Sequence, residues 1–323
     1  GSALLLWGVT GSGKTEVYLQ IAALELSASR HCLILTPEIG LVPQLVDRFR
    51  KRFGSNVFEY HSNCSPQERI ETWKRSLEIT TPSVFIGTRS SIFLPLSNLG
   101  LIVLDEEHDS SYKQESPMPC YHARDLAIHR AKKTGAKVIL GTATPSLNAW
   151  KETEPKGNIV VAKLTRRILN RRLPTVNIID MRQELAIGNR SLISRNLKEQ
   201  LLNLKENGNQ AIILVPRRGY SSFLSCRSCG EVVQCPHCDV ALTVHRSKGG
   251  IQWLRCHWCD FRSKINDKCG ECGSNAFKPF GTGTQRVMDH LERELEGVNL
   301  LRFDRDTTRG RDGHRLLLER FAH

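Results

Sequence analysis

Short apolar runs and amphipathic stretches alternate through the first 150 residues of the chain. Positions 3–8, 32–36, 56–60, 83–87, 101–105 and 137–141 are mostly apolar, as in Leu101-Ile102-Val103-Leu104. A strand without polar alternation must bury both faces, which predicts a parallel sheet with helices on each side. Helix-period patterns lie between the runs, at 14–28, 41–52, 66–78, 123–133 and 146–153. The pattern is that of an open α/β domain, in which ligands bind at the C-terminal strand edge.

The pattern resumes further on. Residues 194–207 read as a helix and 211–215 (AIILV) as a buried strand, followed by helices near 284–296 and 312–321 around a strand near 298–303. A cysteine-rich stretch interrupts this second run. The expected division is therefore a first α/β lobe at 1–155, a partial second lobe made of 156–225 and 274–323, and a cysteine-rich insert at 226–273. A chain of 323 residues is long enough for two or three such cores. No apolar run approaches the ~20 residues of a membrane span. The opening run Ala3 to Trp7 is too short for a secretory signal. The expectation is a cytoplasmic protein with no membrane partner.

Eight of the 11 cysteines form four Cys-x-x-Cys pairs: Cys226/Cys229, Cys235/Cys238, Cys256/Cys259 and Cys269/Cys272. Two thiolates separated by two residues reach one zinc ion from a single turn, and two such turns complete a tetrahedral site. Eight ligands thus predict two Zn²⁺ per chain. The links between successive pairs hold five, seventeen and nine residues. Seventeen fits a zinc-ribbon hairpin that joins Cys235/Cys238 to Cys256/Cys259. The outer pairs, Cys226/Cys229 and Cys269/Cys272, then share the other ion. Such nesting also brings the ends of the insert together. Sequential pairing would need a tight five-residue link, and interleaved pairing is also geometrically open. Each site is filled by four sulfurs, which leaves no position for catalysis.

The formal net charge is +13; eight thiolates and two dications would bring it to +9. That balance favours a polyanionic partner. From Pro155 to Ile179 there are six basic residues and no acidic one, which suggests a connector or a surface strand near phosphates.

Three motifs carry chemistry. Gly8-Val9-Thr10-Gly11-Ser12-Gly13-Lys14-Thr15 matches G-x-x-x-x-G-K-[ST], between an apolar strand and a helical pattern. Its glycines let backbone amides curl around phosphates, Lys14 reaches the β/γ oxygens and Thr15 ligates Mg²⁺, at a helix end whose field favours anions. Asp105-Glu106-Glu107-His108 follows the strand at 101–104. Asp105 is placed to orient Mg²⁺ and Glu106 to activate the attacking water. Gly141-Thr142-Ala143-Thr144-Pro145-Ser146 follows the strand at 137–141, where Thr142 and Thr144, with His108, could couple the acidic loop to its neighbour.

In this order, GVTGSGKT, DEEH and GTATPS resemble the first lobe of superfamily 2 helicases, of RecA-like P-loop fold. TPEIGL (36–41), GTRSSIF (87–93), DEEHDSSYKQ (105–114), YHARDLA (121–127), RRGYS (217–221) and RDTTRG (305–310), with four CxxC pairs, are more specific. Together they resemble the PriA family of primosomal replication-restart DNA helicases, from about residue 5 to the end.

The resemblance implies an ATP-dependent 3′→5′ DNA helicase. Such an enzyme acts at stalled replication forks, restarts replication and assembles the primosome. It implies Mg²⁺ with ATP, two zinc ions in the nested arrangement, and a bacterial, nucleoid-associated setting. The implied partners are forked and single-stranded DNA, single-strand DNA-binding protein and proteins that load the replicative helicase. It further implies an aromatic-rich DNA-coupling loop over Tyr112 to Arg124. Arg89, Tyr112, Lys113, Tyr121 and Arg124 are the DNA-contact candidates. The middle of that loop, residues 116–120, lacks the Trp that the family often carries, and Gln285 stands where it often has Glu. The resemblance also implies amino-terminal DNA-binding domains before the phosphate loop and later second-lobe motifs with an arginine finger, neither of which is in this sequence, so weak ATP hydrolysis is expected of it alone. The other readings are a zinc-dependent docking module for DNA and replication proteins, without motor activity, and a different superfamily 2 translocase such as a restriction subunit.

Overall fold

The computed structural model describes residues 3–215, 223–226, 228–246, 252–275, 277–280, 284–304, 307–308 and 313–322. They fall into two units, one built from 1–174 with 309–323 and the other from 175–308.

In the first unit, β1 (Ala3–Gly8), α1 (Lys14–Ser27), β2 (His31–Leu35), α2 (Val42–Phe53), β3 (Val57–Tyr60), α3 (Pro66–Glu78), β4 (Val84–Gly87) and β5 (Leu99–Asp105) follow the predicted alternation. A small antiparallel pair comes next, β6 (Lys113–Gln114) with β7 (Tyr121–His122). The chain continues through α4 (Ala123–Thr134), β8 (Lys137–Thr142), α5 (Leu147–Lys151) and β9 (Ile159–Leu164). Seven strands form one parallel sheet in the order β3-β4-β2-β5-β8-β1-β9. Its two faces carry separate apolar cores. Leu5, Leu33, Phe85, Ile102 and Leu140 point to the α4 side. Leu6, Ile34, Ile86, Val103 and Ile139 point to α1 and α2, where Tyr18 and Phe49 meet them. The near-continuous apolar strands therefore bury both faces, as required of a RecA-like α/β lobe.

Sequence punctuation sets several boundaries. Ser65 caps α3 reciprocally with Glu68, and Pro66 opens it. Gly54 and Gly135 end α2 and α4 with positive φ.

Residues 155–179, read as connector or surface strand, supply β9, which pairs along the full length of β1. The first unit thus continues past the expected boundary at 155, through Pro174. The last helix, α9 (Gly313–Ala322), also belongs to this unit rather than to a second lobe, with Arg315 of α9 4.0 Å from Asp47 of α2.

In the second unit, α6 (Met181–Ala186) and α7 (Arg195–Glu206) precede a five-stranded antiparallel sheet. The sheet comprises β10 (Phe223–Cys226), β11 (Thr243–Arg246), β12 (Gln252–Arg255), β13 (Arg262–Ser263) and β14 (Phe277–Phe280) in the order β13-β12-β11-β10-β14. α8 (Thr284–Glu294) follows, and its Leu291, with Leu295 just beyond it, packs beside Ile193 and Leu201. The strands expected at 211–215 and 298–303 do not form. Ile212 and Leu214 are each 87% exposed, and neither segment pairs with another strand among the described residues. An apolar run becomes a strand only where neighbours satisfy its N–H and C=O groups. RRGYS (217–221) and the side chain of Gln285 lie outside the described residues, as does most of RDTTRG. Among the described residues no helix is long and apolar enough to cross a membrane.

Candidate nucleotide site and zinc centres

β1 ends at Gly8 and α1 begins at Lys14, so the five residues between them form the phosphate-type loop. Gly11 and Gly13 take φ of 77° and 91°, values that side chains disfavour. Lys14 is buried and curls over its own loop, donating from Nζ to the Gly8 carbonyl at 3.1 Å. Its Nζ lies 3.8 Å from Glu106 Oε1.

β5 delivers Asp105 at its C-terminal end, the edge where α/β sheets bind ligands. Tyr18 of α1 donates its hydroxyl to Asp105 Oδ1 at 2.8 Å. That reach crosses β8 at Gly141, where a Cβ would overlap the tyrosine ring. Burial raises the Asp105 carboxyl above its ordinary value, against the Tyr18 hydrogen bond and the Lys14 charge. Glu106 is also raised by burial, opposed by Lys14 and reinforced by Asp105. Its φ of 48° is unusual for a non-glycine residue and swings the carboxylate toward the loop.

The expected coupling residues come together. His108 Nδ1 lies 2.8 Å from Thr142 Oγ1, and that hydroxyl accepts from the Thr144 amide at 3.1 Å. His108 Nδ1 is also 3.7 Å from Glu106 Oε2. The acidic loop and the turn after β8 are therefore joined through His108, beside the carboxylate that faces Lys14.

Glu107 has a role that sequence reasoning left unassigned. It is only 1% exposed and accepts from the Ser146 amide at 2.8 Å and the Ser146 hydroxyl at 3.0 Å. Its own amide donates to the Gly141 carbonyl at 3.0 Å. The signal was present: Ser146 is a helix N-cap, and a cap beside an acidic loop can serve both.

Three of the DNA-contact candidates are occupied inside the protein. Tyr112 is fully buried, and its hydroxyl donates to the Leu35 and Asp105 carbonyls at 3.0 and 2.6 Å, so its ring cannot stack on a base. Arg89 donates to the Ser111 and Lys113 carbonyls and to Gln114 Oε1, bracing the hairpin of β6 and β7. Arg124 is largely covered, 3.8 Å from Glu107 Oε2 and bonded to Ser146 Oγ. Lys113 is exposed and paired with Glu115. Tyr121 is half-buried, edge-on to the exposed Phe93 and under Arg89. An aromatic flanked by charges reads alike whether it faces solvent or core, which is why the pattern misled at Tyr112.

The cysteines gather into the nested sets. Cys226, Cys229, Cys269 and Cys272 form one group, and Cys235, Cys238, Cys256 and Cys259 the other, with all sulfurs of each group within 4.8 Å. Sγ–Sγ distances of 3.5 Å for Cys226–Cys272 and 3.6 Å for Cys229–Cys269 and Cys235–Cys259 fit sulfurs ~2.3 Å from a common centre. The four turns share one geometry. In each, the first cysteine's carbonyl accepts from the residue after the second cysteine: Gly230, Asp239, Asp260 and Gly273. All four of these residues have positive φ. β10 pairs with β14 and closes the ends of the module. The Cys238 thiol is pushed up to about 12 by its hydrogen bond to Cys259, burial and the adjacent sulfurs. A central dication would reverse that balance. Outside the clusters, burial pushes the Cys32 thiol up to about 12, consistent with an inert packing residue.

Comparison with known proteins agrees with both halves of this picture. Residues 1–153 match the DEAD/DEAH box helicase family, and residues 235–264 match the PriA DNA helicase Cys-rich region (CRR) domain. The chain is 49% identical over 324 residues to the replication restart protein PriA of Synechocystis sp., covering 98% of the chain and 39% of that protein. It is 45% identical to the Bacillus subtilis protein of the same name, covering 98% and 39%, and 40% identical to that of Haemophilus influenzae, covering 94% and 40%. The chain thus spans about two fifths of the length of these relatives. With a helicase-type phosphate loop, a DEEH loop and two four-cysteine clusters in family order, the chain belongs to the PriA family of replication restart proteins.

Proposed function

We propose that this chain is the nucleotide-binding and zinc-bearing part of an ATP-dependent DNA helicase that acts 3′→5′ at stalled forks to restart replication. The observation that carries the proposal is the convergence of Lys14, Asp105 and Glu106 at one strand edge, with His108 and Thr142 joined behind Glu106. The loop amides and Lys14 hold the phosphates. Asp105 has one oxygen held by Tyr18, which leaves the other for a hydrated Mg²⁺ beside Thr15. That ion, when bound, offsets charge on the phosphate oxygens. Glu106 orients the attacking water and takes its proton, and its raised carboxyl improves it as a base near neutrality.

Thr142 and Thr144 relay the state of that loop through His108 to the turn after β8. The partners we propose are forked and single-stranded DNA, single-strand DNA-binding protein and the proteins that load the replicative helicase. The zinc module serves duplex opening and docking, not chemistry, because each site is closed by four sulfurs. The test is unwinding of a forked DNA by a PriA-length protein carrying this sequence, beside its Lys14→Ala form. Loss of unwinding is expected; unwinding that survives the substitution rules out the motor reading.

A further inference from the structure

After β9 the chain bends across the phosphate loop. The Val9 amide donates to the Leu164 carbonyl at 3.2 Å, and the Ile168 amide donates to the Gly11 carbonyl at 3.0 Å. The segment is thus tied to the loop on both sides of Arg167. A Cβ built on Gly11 would lie 3.3 Å from Arg167 Nε and 3.5 Å from its Nη2, so the guanidinium rests against the middle of the loop. Immediately beyond, Leu169 and Asn170 take φ of 60° and 51°. Non-glycine residues hold such angles only where their surroundings over-determine them.

The electrostatics of this placement need an explanation. Arg167 and Lys14 are two cations at the N-terminus of α1, the end that repels cations. Lys14 has Glu106 in reach. Among the described residues Arg167 has no carboxylate partner; it donates through Nη1 to the Arg172 carbonyl at 3.1 Å. A guanidinium has five donors, so most of its capacity remains. A polyanion in the loop would turn that repulsion into attraction and give the fork two or more oxygens to bind.

We infer that Arg167 is a second cationic ligand for the phosphate chain of the nucleotide, acting with Lys14. This rests on the nucleotide site proposed above. The residue binds and positions the phosphates; it is not assigned a step in proton transfer.

The test is titration of the 323-residue chain with a fluorescent ADP, and its competition by tripolyphosphate, over a range of salt concentrations. The forms compared are wild type, Arg167→Ala, Arg167→Lys, Ile168→Ala and Lys14→Ala. Arg167→Ala should bind ADP about tenfold more weakly. It should weaken tripolyphosphate in parallel, and its affinity should depend less steeply on salt. Arg167→Lys should recover part of the loss, and Ile168→Ala should leave the salt dependence unchanged. Wild-type affinity in Arg167→Ala, with Lys14→Ala still weakened, overturns the inference and leaves the nucleotide site standing. Equal losses in Arg167→Ala and Ile168→Ala at unchanged salt dependence reduce Arg167 to packing and also overturn it. Wild-type affinity in Lys14→Ala defeats the nucleotide site itself.

Discussion

Removal of Glu107 tests how firmly the acidic loop is fastened to the turn after β8. Its carboxylate is shut away from water, accepts two hydrogen bonds from Ser146 and faces Arg124. A hydrogen bond to a charged group contributes about 1.5–3 kcal/mol, and breaking a buried ion pair costs about 3–5 kcal/mol. These figures overlap because the same atoms make both interactions. Glu107→Ala should therefore cost about 3–5 kcal/mol, a large share of the ~5–15 kcal/mol that stabilises a domain. Glu107→Gln keeps the volume but loses the charge and sets an N–H against a donor, for about 2–3 kcal/mol. Urea unfolding followed by tryptophan fluorescence is a suitable assay. Trp150 lies in α5 just after Ser146 and meets Trp7 edge-on at 5.2 Å, so it reports on this corner. A cycle with Ser146→Ala should show a coupling of about 1–3 kcal/mol. A change of about 0.5 kcal/mol or less in Glu107→Ala, or additive effects in the cycle, would refute the reasoning.

Tyr112→Phe should cost about 1–3 kcal/mol, because two buried carbonyls lose a donor. A loss of about 0.5 kcal/mol or less on urea unfolding would contradict that buried pairing. Cys256→Ser should lower bound zinc from about two ions per chain to about one, by metal analysis. Loss of both ions would show that the two clusters do not load independently. The raised carboxyls of Asp105 and Glu106 mean that the folded protein holds their protons more tightly than the unfolded chain. Their contribution to stability is therefore present below the ordinary carboxylate range and is lost as pH rises through their folded pKa values. Hydrolysis needs charged Glu106, so the acid limb of the pH–rate profile should lie above that of an ordinary glutamate. An acid limb at the ordinary value would contradict this.

The first sheet was legible because its strands are buried on both faces, and a continuous apolar run has few alternatives there. The same kind of run at 211–215 misled, since apolarity alone supplies no neighbouring strand. β9 was half seen: the run Ile159-Val160-Val161-Ala162 has no polar alternation to show that Ile159 faces the core while Val160 is exposed. Link lengths favoured the nested zinc pairing and left interleaving open, and the turn geometry was written in Gly230, Asp239, Asp260 and Gly273, residue types that tolerate positive φ. The positions of Lys14, Asp105 and Glu106 were legible because strand ends and the glycine loop fix them. The inward contacts of Tyr112, Arg89 and Arg124 were not legible, because family position says where a residue lies in the chain, not which way its side chain points.

We propose that Lys14, Asp105 and Glu106 form an ATP-hydrolysing site that drives a DNA motor. It is tested most directly by Glu106→Gln in a PriA-length protein carrying this sequence, with ADP affinity and DNA-stimulated ATP turnover measured together. Near wild-type affinity is expected, with turnover reduced about 10²–10⁴-fold. Turnover at the wild-type rate would contradict it.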